Sequence, residues 1–192
     1  QLDGVLVLAD AESVVKKADD KYVASTVRRQ LQAADIIILN KTDLLTDVQL
    51  QDRRDWLART FPNPTIIETT YGNVPISLLM DVHGGNKLPT SEYSDHEHYS
   101  SWSFQSEAAV TAEGLRKFAD ALPAVVIRAK GIARLTDGSH QVLQVVGQRK
   151  SLDAIESDQA ITQIVTIGLS RQFDADYLQG LAESHLGSSV VN

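Results

Sequence analysis

The chain has no cysteine, so disulfides and thiolate metal ligation are excluded within its 192 residues, and the composition fits a reducing compartment. No apolar run approaches the roughly 20 residues that a membrane-spanning helix needs. The N-terminus also lacks the basic-then-apolar layout of a signal peptide, and the chain is therefore expected to be soluble and cytoplasmic, with no membrane contact. Positive charge is short: 18 Lys and Arg against 25 Asp and Glu leave a formal net charge of −7. That is the wrong sign for gripping a phosphate backbone, so no nucleic-acid partner is expected. The motifs H-E-x-x-H and G-x-S-x-G are missing, as is any spacing of Ser, His and Asp suited to nucleophilic catalysis, and there is no internal repeat. What remains is ordinary for a globular protein, with 43% hydrophobic and 22% charged residues, enough for one large domain or two small ones.

Residues 1–82 alternate strand and helix patterns. "GVLVLAD" is a wholly apolar run ending at Asp10, the pattern of a strand covered on both faces. Val23, Val27 and Leu31 recur every fourth residue along one helical face. Ile36 to Leu39 read as a second buried strand, a helix is expected from about Asp47 to Thr60 with Val48, Trp56 and Leu57 inward, and "PTIIETT" reads as a third strand. This is the grammar of a parallel sheet, in which ligands bind beyond the carboxyl ends of the strands. Residues 83–100 are polar and contain Gly, Pro and Ser, so they read as a linker. Residues 101–192 follow a different pattern. A strand is expected over Trp102–Glu107, then a helix capped by Thr111 with Leu115, Phe118 and Leu122 inward. "AVVIRAKGIARL" and "HQVLQVV", joined at Asp137-Gly138, read as an antiparallel hairpin, "AITQIVTIG" as a further strand, and Asp174 opens a last helix with Leu178 and Leu181 inward.

The most informative stretch is "ADIIILNKTDLL", where a buried strand runs into Asn40-Lys41-Thr42-Asp43. A carboxylate fixed at a strand end can accept two hydrogen bonds from guanine, one from the ring N–H and one from the exocyclic amine. Adenine offers neither in that geometry, and the wrong base would leave a desolvated carboxylate unpaired at a cost of ~2 kcal/mol or more. Asn40 can donate to the ring acceptor and tie the loop together, while the aliphatic stem of Lys41 lies along the base. The plainer alternative is that Asn40, Thr42 or Asp43 only caps the following helix. The strand context favours the base-binding reading, as does "ETTYGNV" about 25 residues later, where small residues and Gly72 let backbone amides approach a ligand.

"DGVLVLADA", "QLQAADIIILNKTDL", "TTYGNVPISLLM", "DHEHYSSWSF", "RAKGIARL" and "VTIGLSRQFDADYLQGL" together resemble, in order and over essentially the whole chain, the later part of the CobW-like P-loop GTPases. The resemblance implies an α/β chain: a partial parallel-sheet P-loop GTPase domain over residues 1–82, then a smaller α+β CobW-like C-terminal domain with antiparallel strands over 101–192. It implies base binding by Asn40, Lys41 and Asp43, with Thr69, Thr70, Tyr71 and Gly72 beside the guanine. It further implies GTP or GDP, with magnesium in the intact protein, and a cytoplasmic metallochaperone that delivers zinc or cobalt to a client protein, with a link to cobalamin synthesis. The sequence departs from the family pattern: it holds no G-x-x-x-x-G-K-[ST] phosphate loop, with its lysine and the hydroxyl and carboxylate for magnesium, and no cysteine for the metal motif that the resemblance implies early in the chain. Without such a loop and magnesium, phosphoryl transfer lacks positioning and charge stabilisation, so no GTP hydrolysis is expected from these residues alone. We expect residue 1 to lie inside the GTPase domain, and the incomplete sheet to offer an edge for homodimer formation. A rival reading is a non-enzymatic module that binds a client protein or a metal.

His96 and His98 flank Glu97; in extended chain both side chains fall on one side and, with Asp95, are a candidate zinc site, against the plainer reading of two histidines in a polar linker. CobW-like proteins often carry histidine-rich stretches at this junction, which the resemblance adds to the first reading. Arg128, Lys130 and Arg134 form a same-face row, expected to be the solvated outer face of a sheet, with anion or partner contact as the sharper alternative. Asp10 either approaches the magnesium region or caps the segment after it. His140 and His185 read as surface or packing residues.

Overall fold

A computed structural model of the chain describes residues 4–75, 78 and 99–187. They divide into two units, parted between residues 79 and 80. Most of the expected linker, including His96 and His98, lies outside the described residues.

In the first unit, β1 (Leu6–Asp10), β2 (Ile36–Asn40) and β3 (Thr65–Thr69) form a parallel sheet in the order β1-β2-β3. The crossovers are helical: α1 (Val14–Ala18) and α2 (Ala24–Ala33) between the first two strands, α3 (Asp47–Thr60) between the next two. Ile37 and Leu39 share a core with Leu31 of α2 and with Leu57 and Phe61 at the end of α3, while Ile36 and Ile38 are buried on the opposite face. The central strand is thus covered on both faces, as its unbroken apolar run requires. The apolar run of β1 is not: Leu8 is 66% exposed, because β1 is an edge strand among the described residues. Two further expectations fail at helix starts. Val23 precedes α2 as its cap residue and is exposed, and Val48, in the first turn of α3, is 72% exposed. First-turn positions lean away from the sheet, so the period continues without the burial. Trp56 packs against the core and meets Phe61 edge to face at 5.7 Å.

The second unit is a five-stranded antiparallel sheet in the order β4-β8-β5-β6-β7, from β4 (Tyr99–Ser106), β5 (Val126–Arg134), β6 (His140–Val146), β7 (Arg149–Ile155) and β8 (Thr162–Leu169). Helices α4 (Ala112–Ala121) and α5 (Ala175–Leu186) share one core with it, built from Phe104, Leu115, Phe118, Leu143, Ile164 and Leu178 among others. Thr111 caps α4 by accepting from Gly114 N–H at 2.9 Å, and Asp174 caps α5 by accepting from Tyr177 N–H at 2.9 Å. The hairpin forms at Asp137-Gly138 as expected, with Gly138 at φ 86. The strand β7 was not foreseen: "RKSLDAI" carries too few apolar residues to alternate visibly, being an edge strand. The basic row is also corrected. Arg128 is only 5% exposed, held between its cross-strand neighbours Val146 and Ile167, both buried, so this part of the face is not solvated. Among the described residues no helix is long and apolar enough to cross a membrane.

Candidate functional site

The three parallel strands end level with one another. Asp10 pairs in register with Asn40, and Asn40 with Thr69, so the last residues of β1, β2 and β3 form one row. The apolar strands set that row, because the register that buries Ile37 and Leu39 also fixes where Asn40 emerges.

Asn40 is fastened on both sides. Its carbonyl accepts from Ala11 N–H at 2.9 Å across the β1 end, and its side-chain Oδ1 accepts from Gly72 N–H at 2.9 Å beyond β3. The amide NH2 of Asn40 has no hydrogen bond to a described residue, so it retains donor capacity. Lys41 then takes a left-handed φ of 64 and turns the chain into a short 3-10 helix, Thr42–Leu44. Thr42 Oγ1 donates to the Thr69 carbonyl at 3.2 Å, which ties this turn to β3. Asp43 sits within the turn, exposed, and its carboxylate makes no hydrogen bond to any described residue.

The capping alternative fails on geometry. Helix α3 is capped by Thr46, whose Oγ1 accepts from Gln49 N–H at 3.4 Å while Gln49 Oε1 accepts from Thr46 N–H at 3.0 Å. Neither Asn40 nor Asp43 takes part.

Beyond β3, Thr69 is buried and its Oγ1 donates to the Asn73 carbonyl at 2.8 Å, so its side chain is used within the loop. Asn73 N–H donates to the Thr70 carbonyl at 3.0 Å around Tyr71 and Gly72, at φ 54 and 69. Two left-handed central residues are the pattern of a type I′ turn. Gly72 adopts that φ freely, whereas Tyr71, 93% exposed, holds it at a cost of about 1 kcal/mol.

Asp10 stands at the strand end where sequence reading set it, toward the magnesium region or as a cap of the segment after it, but its bond to Lys41 is not among those expectations. Its Oδ2 lies 2.8 Å from Lys41 Nζ, and its Oδ1 accepts from Glu12 N–H at 3.0 Å and Ser13 N–H at 3.1 Å. The Lys41 hydrogen bond holds the Asp10 carboxyl below the usual aspartate range, with Ser13 N–H adding to it against the effect of burial. Reciprocally, Asp10 raises the Lys41 ammonium above its ordinary value. The signal was present in the sequence: two apolar strands each ending on a polar residue, which a shared register brings side by side.

Asn40, Lys41, Asp43, Thr69, Thr70, Tyr71 and Gly72 therefore meet in one loop cluster, joined through the Asn40, Thr42 and Thr69 bonds. A cavity of about 260 Å³ lies nearby along β1 and α2, walled by Val7, Asp10, Ser13, Lys17 and Gln30 among others. Asp43 is not in its wall. His96 and His98 lie outside the described residues, and among the described residues no group of three or more His, Asp or Glu is placed to hold a metal. His140 Nε2 lies 2.8 Å from the Gln159 carbonyl, a structural contact in which the ring donates.

Two family models match the chain: "CobW/HypB/UreG, nucleotide-binding domain" over residues 1–68 and "Cobalamin synthesis protein cobW C-terminal domain" over residues 99–184. Among curated proteins it is similar to the zinc chaperone CobW of Sinorhizobium sp, 29% identical over 77% of this chain and 52% of that protein. It is also similar to the zinc-regulated GTPase metalloprotein activator 1 of Schizosaccharomyces pombe, 30% identical over 49% of this chain and 23% of that protein. The chain thus spans about half the length of the first relative and about a quarter of the second. Among solved structures it is similar to the Zn(II)-bound YjiA GTPase from E. coli, at 19% identity over 96% of this chain and 61% of that one, with a TM-score of 0.41.

Proposed function

The chain belongs to the CobW-like family, and on that premise we propose that its parallel unit recognises the guanine of GTP or GDP, within a protein that delivers a metal ion to a client protein in a GTP-dependent way. The observation that carries the reading is the contrast at the strand ends. Asn40 is anchored by Ala11 and Gly72, while the Asp43 carboxylate beside it is exposed and has no hydrogen bond to a described residue. An anchored loop that leaves one carboxylate unspent is what base recognition requires. Asp43 accepts from the ring N–H and exocyclic amine of guanine, the Asn40 amide donates to the ring acceptor, and the Lys41 stem lies along the base. The loop from Thr69 to Gly72 offers backbone beside it.

Phosphate and magnesium contacts come from groups outside this cluster, since the 192 residues hold no phosphate-loop motif, and hydrolysis by these residues alone is not expected. Zinc is favoured over cobalt as the delivered ion, because the curated relatives are a zinc chaperone and a zinc-regulated activator. His96 and His98 remain the candidate zinc ligands of this chain. The edge of β1 that is open among the described residues, with Leu8 exposed on that strand, is where a second copy would pair, and light scattering at high concentration should show a dimer that Leu8→Lys disperses.

The direct test is titration of the chain with GDP and with ADP, followed by amide chemical shifts. GDP should shift Gly72 and the residues from Asn40 to Leu44, and Asp43→Ala should remove the preference for GDP by roughly tenfold or more. Equal response to the two nucleotides in the parent chain would overturn the reading.

A further inference from the structure

We propose that Asp10 is a positioning residue for base recognition, holding the Lys41 side chain across the end of the sheet so that its stem is set as one wall of the base slot before any nucleotide arrives. This rests on the guanine-recognition reading given above. The geometry divides the work of the Asp10 carboxylate between its two oxygens. Oδ1 accepts from the backbone N–H groups of Glu12 and Ser13, at 3.0 and 3.1 Å, which fixes the orientation of the group from its own strand. Oδ2 is thereby aimed without help from Lys41, and the ammonium reaches it at 2.8 Å. The two residues are 31 apart in sequence and come together because Asp10 pairs in register with Asn40, the residue before Lys41. The left-handed φ of 64 at Lys41 takes that residue out of the strand direction, which is what frees its side chain to run sideways toward β1.

The consequence is entropic. An unpaired lysine in an exposed loop samples many rotamers, and a base that needed its stem in one place would have to order it on binding. Asp10 does that ordering in advance. The Lys41 side chain is 51% exposed and that of Asp10 25%, so water screens the pair and the expected effect is modest.

Asp10→Asn separates the two tasks, because the amide keeps an oxygen for Glu12 and Ser13 but loses the charge that draws Lys41. Guanosine is the probe, since it carries no phosphate whose attraction would change when an acidic residue is neutralised. Asp10→Asn is expected to weaken guanosine binding about two- to fivefold in the parent chain and to have no effect in a Lys41→Met background. A merely structural Asp10 would give the same loss in both backgrounds, and that result overturns the proposal. A carbon-detected titration of the Asp10 carboxyl reads the pair without ligand: its pKa should move up in Lys41→Met, and an unchanged value also overturns the proposal. The Asp43→Ala control distinguishes the failures. If it abolishes guanosine binding while Asp10→Asn is neutral, base recognition stands and the role given to Asp10 falls. If neither variant changes binding, or the parent shows none, both fall.

Discussion

The two units of the chain place their polar groups differently. In the antiparallel unit, several polar side chains along the sheet bond to backbone groups. Thr162 Oγ1 accepts from Arg134 N–H at 3.1 Å, Thr166 Oγ1 donates to the Trp102 carbonyl at 3.4 Å, and Lys150 donates to the last carbonyls of α4, at 2.7 Å from Ala119 and 3.1 Å from Asp120. Each gives a backbone group a side-chain partner. In the parallel unit, polar residues collect at one end of the sheet, and the bonds among them leave Asp43 and the Asn40 amide over. The difference is one of placement: in the antiparallel unit the unpartnered atoms Arg134 Nε and Gln141 Oε1 are buried, whereas Asp43 is exposed at the rim beside neighbours that are already bonded.

The largest expected effect tests whether the antiparallel unit is governed by packing. Phe118→Ala removes a fully buried ring that lies against Trp102 at 6.4 Å, and should cost about 3–5 kcal/mol. Hydrogen exchange should show the loss in β4, β5 and β8 while β1 to β3 keep their protection; equal loss in both would break the distinction. Next come two glycines, one from each unit. A Cβ added at Gly131 would lie 2.3 Å from the Gln163 carbonyl oxygen and 2.6 Å from Ile164 Cα, all backbone, so Gly131→Ala should cost about 1–3 kcal/mol by denaturant unfolding. At Gly72 a Cβ meets open space and only the left-handed φ resists, so Gly72→Ala should cost about 1 kcal/mol while disturbing the guanine response more than Gly131→Ala does. The smallest effect is electrostatic. Asp10 has a lowered pKa, so the stability its pair contributes is complete above the unfolded aspartate value of roughly 4 and is lost as the pH falls through the lower folded value. Lys41 is raised, so the contribution is complete below about pH 10.4 and is lost as the pH rises through the higher folded value. Between those limits it should be flat, and Lys41→Met should shrink the acid-side difference in urea unfolding, leaving the part that comes from Ser13 N–H.

Much of this was legible in advance where burial and sequence period agree. The helix Asp47–Thr60, the strand Ile36–Asn40 and the Asp137-Gly138 hairpin stand where the pattern put them. Sequence failed where an element lies at an edge or an end. The run "GVLVLAD" resembles a central strand in composition, yet Leu8 faces out, because which strand is outermost is a property of the whole sheet and not of the run. Arg128 was misread for the converse reason: charge suggested solvent, while its neighbours Val146 and Ile167, distant in sequence, enclose it. Within the site, Asn40, Lys41 and Asp43 were visible as a local motif, whereas the Lys41–Asp10 bond and the hold of Gly72 on Asn40 span 31 and 32 residues and appear only with the register.

That register carries a practical consequence. Neighbouring strands stand about 4.8 Å apart, so Asp10, Asn40 and Thr69 are teeth of a comb roughly 10 Å wide. Loops between the elements can lengthen without touching the spacing of its teeth. A single residue deleted between Ile36 and Leu39 cannot be absorbed so quietly: it would rotate the middle tooth to the opposite side of the sheet, and an error in the oily interior would be read out at the wet rim.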